Sequence, residues 1–188
     1  ASSYAFSKTT SFALQDMTGA TQIMGSGQDV SSTSVTAIGF TFNFAGTDYT
    51  QFSASSNGVM GLGATAVTSA DGNNSTTVPS IVPLWDDMHT CTNGGISYFL
   101  NTTNGVGNRV LVVEWRYGTF AEGSGAYTKT MQAWLYENSN KVRFVYGTNT
   151  GTALTSATVG IVGTGGFNDV NTTNGVNSTG TAKDASTV

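Results

Sequence analysis

Charge is scarce in this chain of 188 residues: Asp, Glu, Lys and Arg make up 10% of it, against about 25% in ordinary soluble domains. The net charge is −4, which argues against nucleic acid as a partner, because phosphate binding needs clustered Lys and Arg. There is one cysteine, so no disulfide can form within the chain. There is one histidine, so any mechanism that needs two imidazoles is excluded. No apolar run reaches the 18 or so residues that a membrane-spanning helix requires. No signal peptide is visible, and "ASSYAF" reads as a mature end left after one is removed.

Ser and Thr take the place of the missing charges, at about a quarter of the residues, with 24 Gly beside them. An uncharged, hydroxyl-rich surface is common in secreted and cell-surface β proteins, and the 38% apolar content is enough for one core. The basic residues are unevenly spread. Lys8 is the only one before residue 109, whereas Arg109, Arg116, Lys129, Lys141 and Arg143 fall together, interleaved with Glu114, Glu122 and Glu137. This stretch reads as a mixed-charge, solvated sheet face; the alternative is an electrostatic contact between subunits.

The hydrophobic period is two, not 3.6. Tyr4, Phe6, Phe12 and Leu14 share one parity; so do Ile38, Phe40, Phe42 and Phe44. Leu111, Val113, Trp115 and Tyr117 alternate with Glu114 and Arg116, and Val142, Phe144 and Tyr146 line another strand. Asn-Gly pairs at 57–58, 93–94, 104–105 and 174–175 supply the positive φ angles of tight hairpins. "ENSNK" at 137–141 reads as one more turn. The expected fold is all-β: an antiparallel, jelly-roll-like sandwich of about ten strands with no significant helix. Residues 1–167 form one domain in this reading, with a first strand at 1–14 and a flexible connection at 15–37. Residues 168–188 form a polar tail or linker.

"WDDMHTC" at 85–91 concentrates the chemistry-bearing residues. A serine triad needs a base and an orienting acid, but no G-x-S-x-G elbow accompanies His89. A Cys91–His89 pair lacks any feature that would activate the thiol, and a buried Cys with a surface His is the ordinary outcome. One His and one Cys cannot make a structural zinc site. Asp86 and Asp87 are adjacent, so on a strand they point to opposite faces and cannot flank a glycosidic bond. No catalytic residue and no cofactor is expected. Calcium is the one ion the composition permits, with Asp86 and Asp87 as its candidate ligands; capping and turn hydrogen bonds are their alternative role. Trp134 and Tyr136 lie on the parity opposite Met131, Ala133 and Leu135 and need cover. Core packing, a ligand platform and a subunit contact are all open readings for them.

Five blocks arrive in a recognisable order: "YAFSKTTSFALQDMTGATQI", "IGFTFNFAGTDYTQFSASSNGVMGLG", "IVPLWDDM", "GNRVLVVEWRYG" and "QAWLYENSNKVRFVYG". Over roughly residues 4–165 the chain resembles an N-terminal β-sandwich domain of secreted, surface-associated proteins of Bacteroidota, typically exported by the type IX route. It is more distantly similar to the extracellular nidogen-type domain, through Pro83-x-Trp85-x-Asp87, Val112-x-x-Trp115 and Phe144-x-Tyr146-Gly147. The resemblance implies adhesive or stalk-like surface proteins and brings no catalytic residue; for Trp85, Asp86 and Asp87 it implies a structural or ion-related role.

The expected function is a non-enzymatic extracellular structural or adhesive protein, most concretely a self-associating subunit of a cell-surface filament. Its expected partners are copies of itself, with Tyr4, Phe6, Phe12, Leu14, Trp134 and Tyr136 as assembly or binding residues. The first strand either completes a neighbour's sheet or pairs within its own domain. The second reading is a module for glycans or another surface ligand, calcium-dependent or not.

Overall fold

The structure, a computed structural model, describes residues 4–68, 78–121, 126–151, 157–163, 166–169 and 181–187. These residues form thirteen strands and no helix. In chain order they are β1 (Tyr4–Thr10), β2 (Thr21–Met24), β3 (Thr36–Phe44), β4 (Thr47–Ala54), β5 (Met60–Leu62), β6 (Ser80–Trp85) and β7 (Gly95–Asn101). Then follow β8 (Val110–Ala121), β9 (Ala126–Tyr136), β10 (Val142–Gly151), β11 (Thr158–Gly163), β12 (Gly166–Asp169) and β13 (Thr181–Thr187). One antiparallel sheet runs β1-β13-β10-β9-β8-β7-β2 and the other β12-β11-β6-β5-β4-β3. The chain crosses between the sheets after β2, β6, β10 and β12. The all-β antiparallel sandwich expected from the period-two pattern is the fold.

Alternation decides which face each strand buries. Ile38, Phe40, Phe42 and Phe44 of β3 face Leu111, Val113, Trp115 and Tyr117 of β8 and Val142, Phe144 and Tyr146 of β10 in one buried cluster. β6 is buried at all six positions, because its inner residues join this cluster while Val82 and Trp85 pack outward with Val59 and Val67. Pro83 would break a central ladder. It sits where β5 has already ended, since β5 pairs only with Ser80 and Ile81, and where the register with β11 shifts.

β3 lies across the end of the seven-stranded sheet, not along it. Its residues meet, in order, Leu100 at the end of β7, Arg109 before β8, the β9–β10 turn at Asn140, and Tyr4 at the start of β1. These points all lie at one end of that sheet, so the two layers cross steeply at this corner.

Three features differ from the sequence expectation. Residues 15–37, expected as a flexible connection, contain β2, which pairs with β7. Residues 181–187, expected within a polar tail, form β13 between β1 and β10. Ladder hydrogen bonds belong to the backbone, so a segment without large apolar side chains can still fill that slot. The tight β3–β4 hairpin uses Ala45 (φ 52°) and Gly46 (φ 84°), a pair without the Asn-Gly signature. The Asn-Gly at 174–175, Glu122 and residues 170–180 lie outside the described residues.

Candidate functional site

β1 and β2 occupy opposite edges of the same sheet, so the chain between them must cross that sheet. It does so as a strap over the outer face. Phe12 packs edge-on against Trp134, with ring centroids 5.4 Å apart, and the Arg143 guanidinium lies 4.1 Å from the Phe12 ring centre. Leu14 rests on Gly147, where a Cβ would collide with it. The backbone of Gln15 is clamped by one side chain: Gln15 N donates to Gln132 Oε1 at 2.9 Å and Gln132 Nε2 donates to Gln15 O at 2.9 Å. Trp134 and Tyr136, aromatics in need of cover, are half-buried; Phe12 covers the first, and the Lys141 ammonium lies 4.4 Å from the ring centre of the second.

Beneath the strap lies Glu114, buried at 8% exposure. Burial raises its pKa, opposed by the hydrogen bond from Gln132 and the charge of Arg116. An open recess of about 590 Å³ borders it, lined by Leu14, Asp16, Met17, Arg116 and Thr130 among others.

The stretch read as a solvated, mixed-charge sheet face is therefore divided. Glu114 is covered by the strap, Lys129 faces the core at 1% exposure, and Arg109 pairs with Glu137 at 2.5 Å. The Arg109 side-chain hydrogen bond is the chief reason that the Glu137 pKa falls to about 2.

The sheet edges are treated unequally. β3 is a nine-residue edge without a charge, the kind of strand that invites pairing. Side chains from the other sheet occupy its backbone: Arg109 Nη1 donates to Gly39 O at 2.8 Å, and Asn43 N donates to Asn140 Oδ1 at 2.9 Å. Just beyond its end, Ala45 N donates to Tyr4 Oη at 2.9 Å. β1 has no such cover among the described residues. It is seven residues long, pairs on one side with β13, and carries Lys8 as its sole charge. Tyr4 holds it to the body, buried at 6% exposure with its ring 5.4 Å from that of Phe44. Phe6 packs against the same core.

The Asp-Asp-Met-His-Thr-Cys segment is bonded within itself and, through Met88 and Thr90, to Asn57, Gly25 and Gln28. Asp87 N donates to Asp86 Oδ1 at 3.0 Å; Asp86 is buried and Asp87 exposed. Cys91, buried at φ 58°, donates its N–H to His89 Nδ1 at 2.8 Å and its thiol to His89 O at 2.9 Å. An imidazole nitrogen accepting a backbone amide is not poised to deprotonate that thiol. Among the described residues no three His, Cys, Asp or Glu side chains group so as to hold a metal ion.

What sequence reasoning missed lies just inside this segment. Asn57 is fully buried, and its Oδ1 accepts from Met88 N at 2.9 Å. Lys129 lies close enough for the charge of Asp86 to favour its protonated form, although burial, the larger effect, lowers its pKa. A signal was present in the sequence: Lys129 has the parity of Met131, Ala133 and Leu135.

The fold is a crossed, all-β sandwich in which Asp86 and Cys91 are buried and His89 is bonded to the Cys91 amide. The chain belongs to the NIDO-related (nidogen-related) family, which matches it over residues 3–188. Domains of this family are in general non-catalytic and structural. No curated protein and no solved structure matches the chain.

Proposed function

We propose that this chain is a non-enzymatic structural protein of the cell exterior that associates copy to copy through the open edge of β1, as the subunit of a surface filament. The observation that carries this reading is the contrast between edges. The long β3 edge is plugged by Arg109, Asn140 and Tyr4, β2 and β12 are only four residues long, and β1 is left as a seven-residue ladder with one charge. Natural sheets blunt exposed edges with charge, proline or cover. An edge blunted by Lys8 alone, on a weakly charged body, is suited to strand addition. Tyr4 anchors β1 in its own chain, so addition at the outer edge needs no exchange of strands. The nidogen-related membership supports the exterior location, and the resemblance to type IX-exported Bacteroidota surface proteins supports it further.

The test replaces Ser7 and Thr9 with Lys. Both are exposed and lie on the parity opposite Tyr4 and Phe6, so the fold should be spared, while two added edge charges oppose pairing. Sedimentation velocity and negative-stain microscopy should show assemblies for the parent and monomers for the variant, with matching thermal melts. A parent that stays monomeric at high concentration, or a variant that assembles equally well, overturns the reading.

The recess beside Glu114 favours a second reading, a surface ligand rich in hydroxyls, since Asp16, Arg116 and Thr130 offer both donors and acceptors there. Binding on a glycan array that is lost in Arg116→Ala, with monomers throughout, would put this reading first.

A further inference from the structure

We propose that Lys129 and Asn57 become joined after folding by an amide bond between Lys129 Nζ and the Asn57 side-chain carbonyl carbon, with Asp86 relaying the proton. The three groups come from three separate elements, β9, the β4–β5 loop and the end of β6, and all are buried, at 1%, 0% and 8% exposure. Neighbouring contacts place them at one point between the sheets.

Tyr117 stands directly across from Lys129 on β8 and donates its hydroxyl to Ser56 O at 2.6 Å. Trp115 Nε1 donates to Ser55 O at 2.9 Å. On the far side of Asn57, a Cβ on Gly58 would lie 3.0 Å from Met131 Cε, the next inward residue of β9 after Lys129. The loop at 55–58 is thus clamped over Trp115, Tyr117 and Met131, and Lys129, paired with Tyr117 and two residues from Met131, is the fourth corner of that patch. The Asn57 carboxamide is turned onto the 86–88 turn by the bond from Met88 N. A lysine reaching from one sheet and an asparagine reaching from the other together span the roughly 10 Å between packed layers.

The chemistry balances without any added reagent. Burial disfavours the Lys129 ammonium, against the opposing charge of Asp86, and a proton passed from Lys129 to the Asp86 carboxylate frees the amine as the nucleophile. The desolvation that lowers the Lys129 pKa acts in that direction. The Nζ lone pair attacks Asn57 Cγ while the Asp86 acid hydrogen-bonds to the reacting carboxamide. The bond from Cγ to Nδ2 then breaks, and the proton displaced from Nζ passes through the Asp86 carboxyl to the departing nitrogen. Amine plus carboxamide become a secondary amide plus ammonia, with no change in oxidation state. In a chain with one cysteine, such a bond would tie the two sheets together as a disulfide does elsewhere.

Intact-mass spectrometry of the folded, full chain under denaturing conditions tests this. The expected mass is about 17 Da below the sequence mass, the weight of one ammonia. A succinimide at Asn57–Gly58 loses the same mass, so digestion must also yield a branched peptide linking the segments around 57 and 129. Lys129→Met and Asp86→Asn should each return the mass to that calculated from the variant sequence. A folded parent at its full sequence mass overturns the proposal on its own. So does a 17 Da loss that survives in Lys129→Met.

Discussion

Gly58 sits at φ 79° with the carbonyl oxygen of Leu84 filling the place of a side chain. Gly58→Ala therefore meets two costs. An L residue in the left-handed region loses about 1–2 kcal/mol. The new methyl also presses on a backbone atom of β6, a strand buried at every position, and overpacking of that kind costs about 1–3 kcal/mol more. Gly105→Ala is the control. Its φ is nearly the same, at 77°, but a Cβ there meets nothing within 4 Å, so only the backbone cost applies. The stabilising effect of Ala on the unfolded chain is common to both variants and cancels between them. Urea unfolding should place Gly58→Ala about 1–3 kcal/mol below Gly105→Ala, a gap of about 2–12 °C in Tm for a chain of this size. Equal stabilities would refute the close seating of the 55–58 loop on β6, and with it the placement of Asn57.

Phe12→Ala removes an edge-on contact to Trp134 and a cation–π contact to Arg143; urea unfolding should show a loss of about 1–2 kcal/mol, and limited proteolysis should open new cuts between residues 11 and 20. Glu137 has a folded pKa of about 2 against 4.5 unfolded, so its stabilising effect is present above the unfolded value and lost as pH falls through the folded one. The urea midpoint should decline between about pH 4.5 and 2, and less steeply in Glu137→Gln. Cys91, buried with its thiol bonded to His89 O, should resist a thiol reagent in the native state and react fully in denaturant.

The strands that alternate sharply were legible because each has one face to bury. β3, β8 and β10 declare themselves by Ile38–Phe44, Leu111–Tyr117 and Val142–Tyr146. Short or weakly apolar elements left no such trace: β2 is four residues long, and β13 carries Ala as its only apolar residue type. The strap was half legible. Trp134 visibly required cover, but nothing in the local pattern named Phe12, more than a hundred residues away, as its source. Lys129 shows a conflict between two readings of one residue, since its charge suggested solvent while its parity suggested the core, and the parity prevailed. The plugged edge of β3 was hidden for a different reason. It depends on the crossing of the two sheets, which brings Arg109 and Asn140 to backbone groups 70 and 97 residues distant.

Hydrogen exchange along β1, followed by mass spectrometry as protein concentration is raised, tests the central claim most directly. Strand addition at the outer edge predicts that amides within 4–10 gain protection with concentration, while those of β2 and β12 do not. β1 amides that exchange at the same rate at every concentration, or protection gained elsewhere as assemblies form, would contradict it.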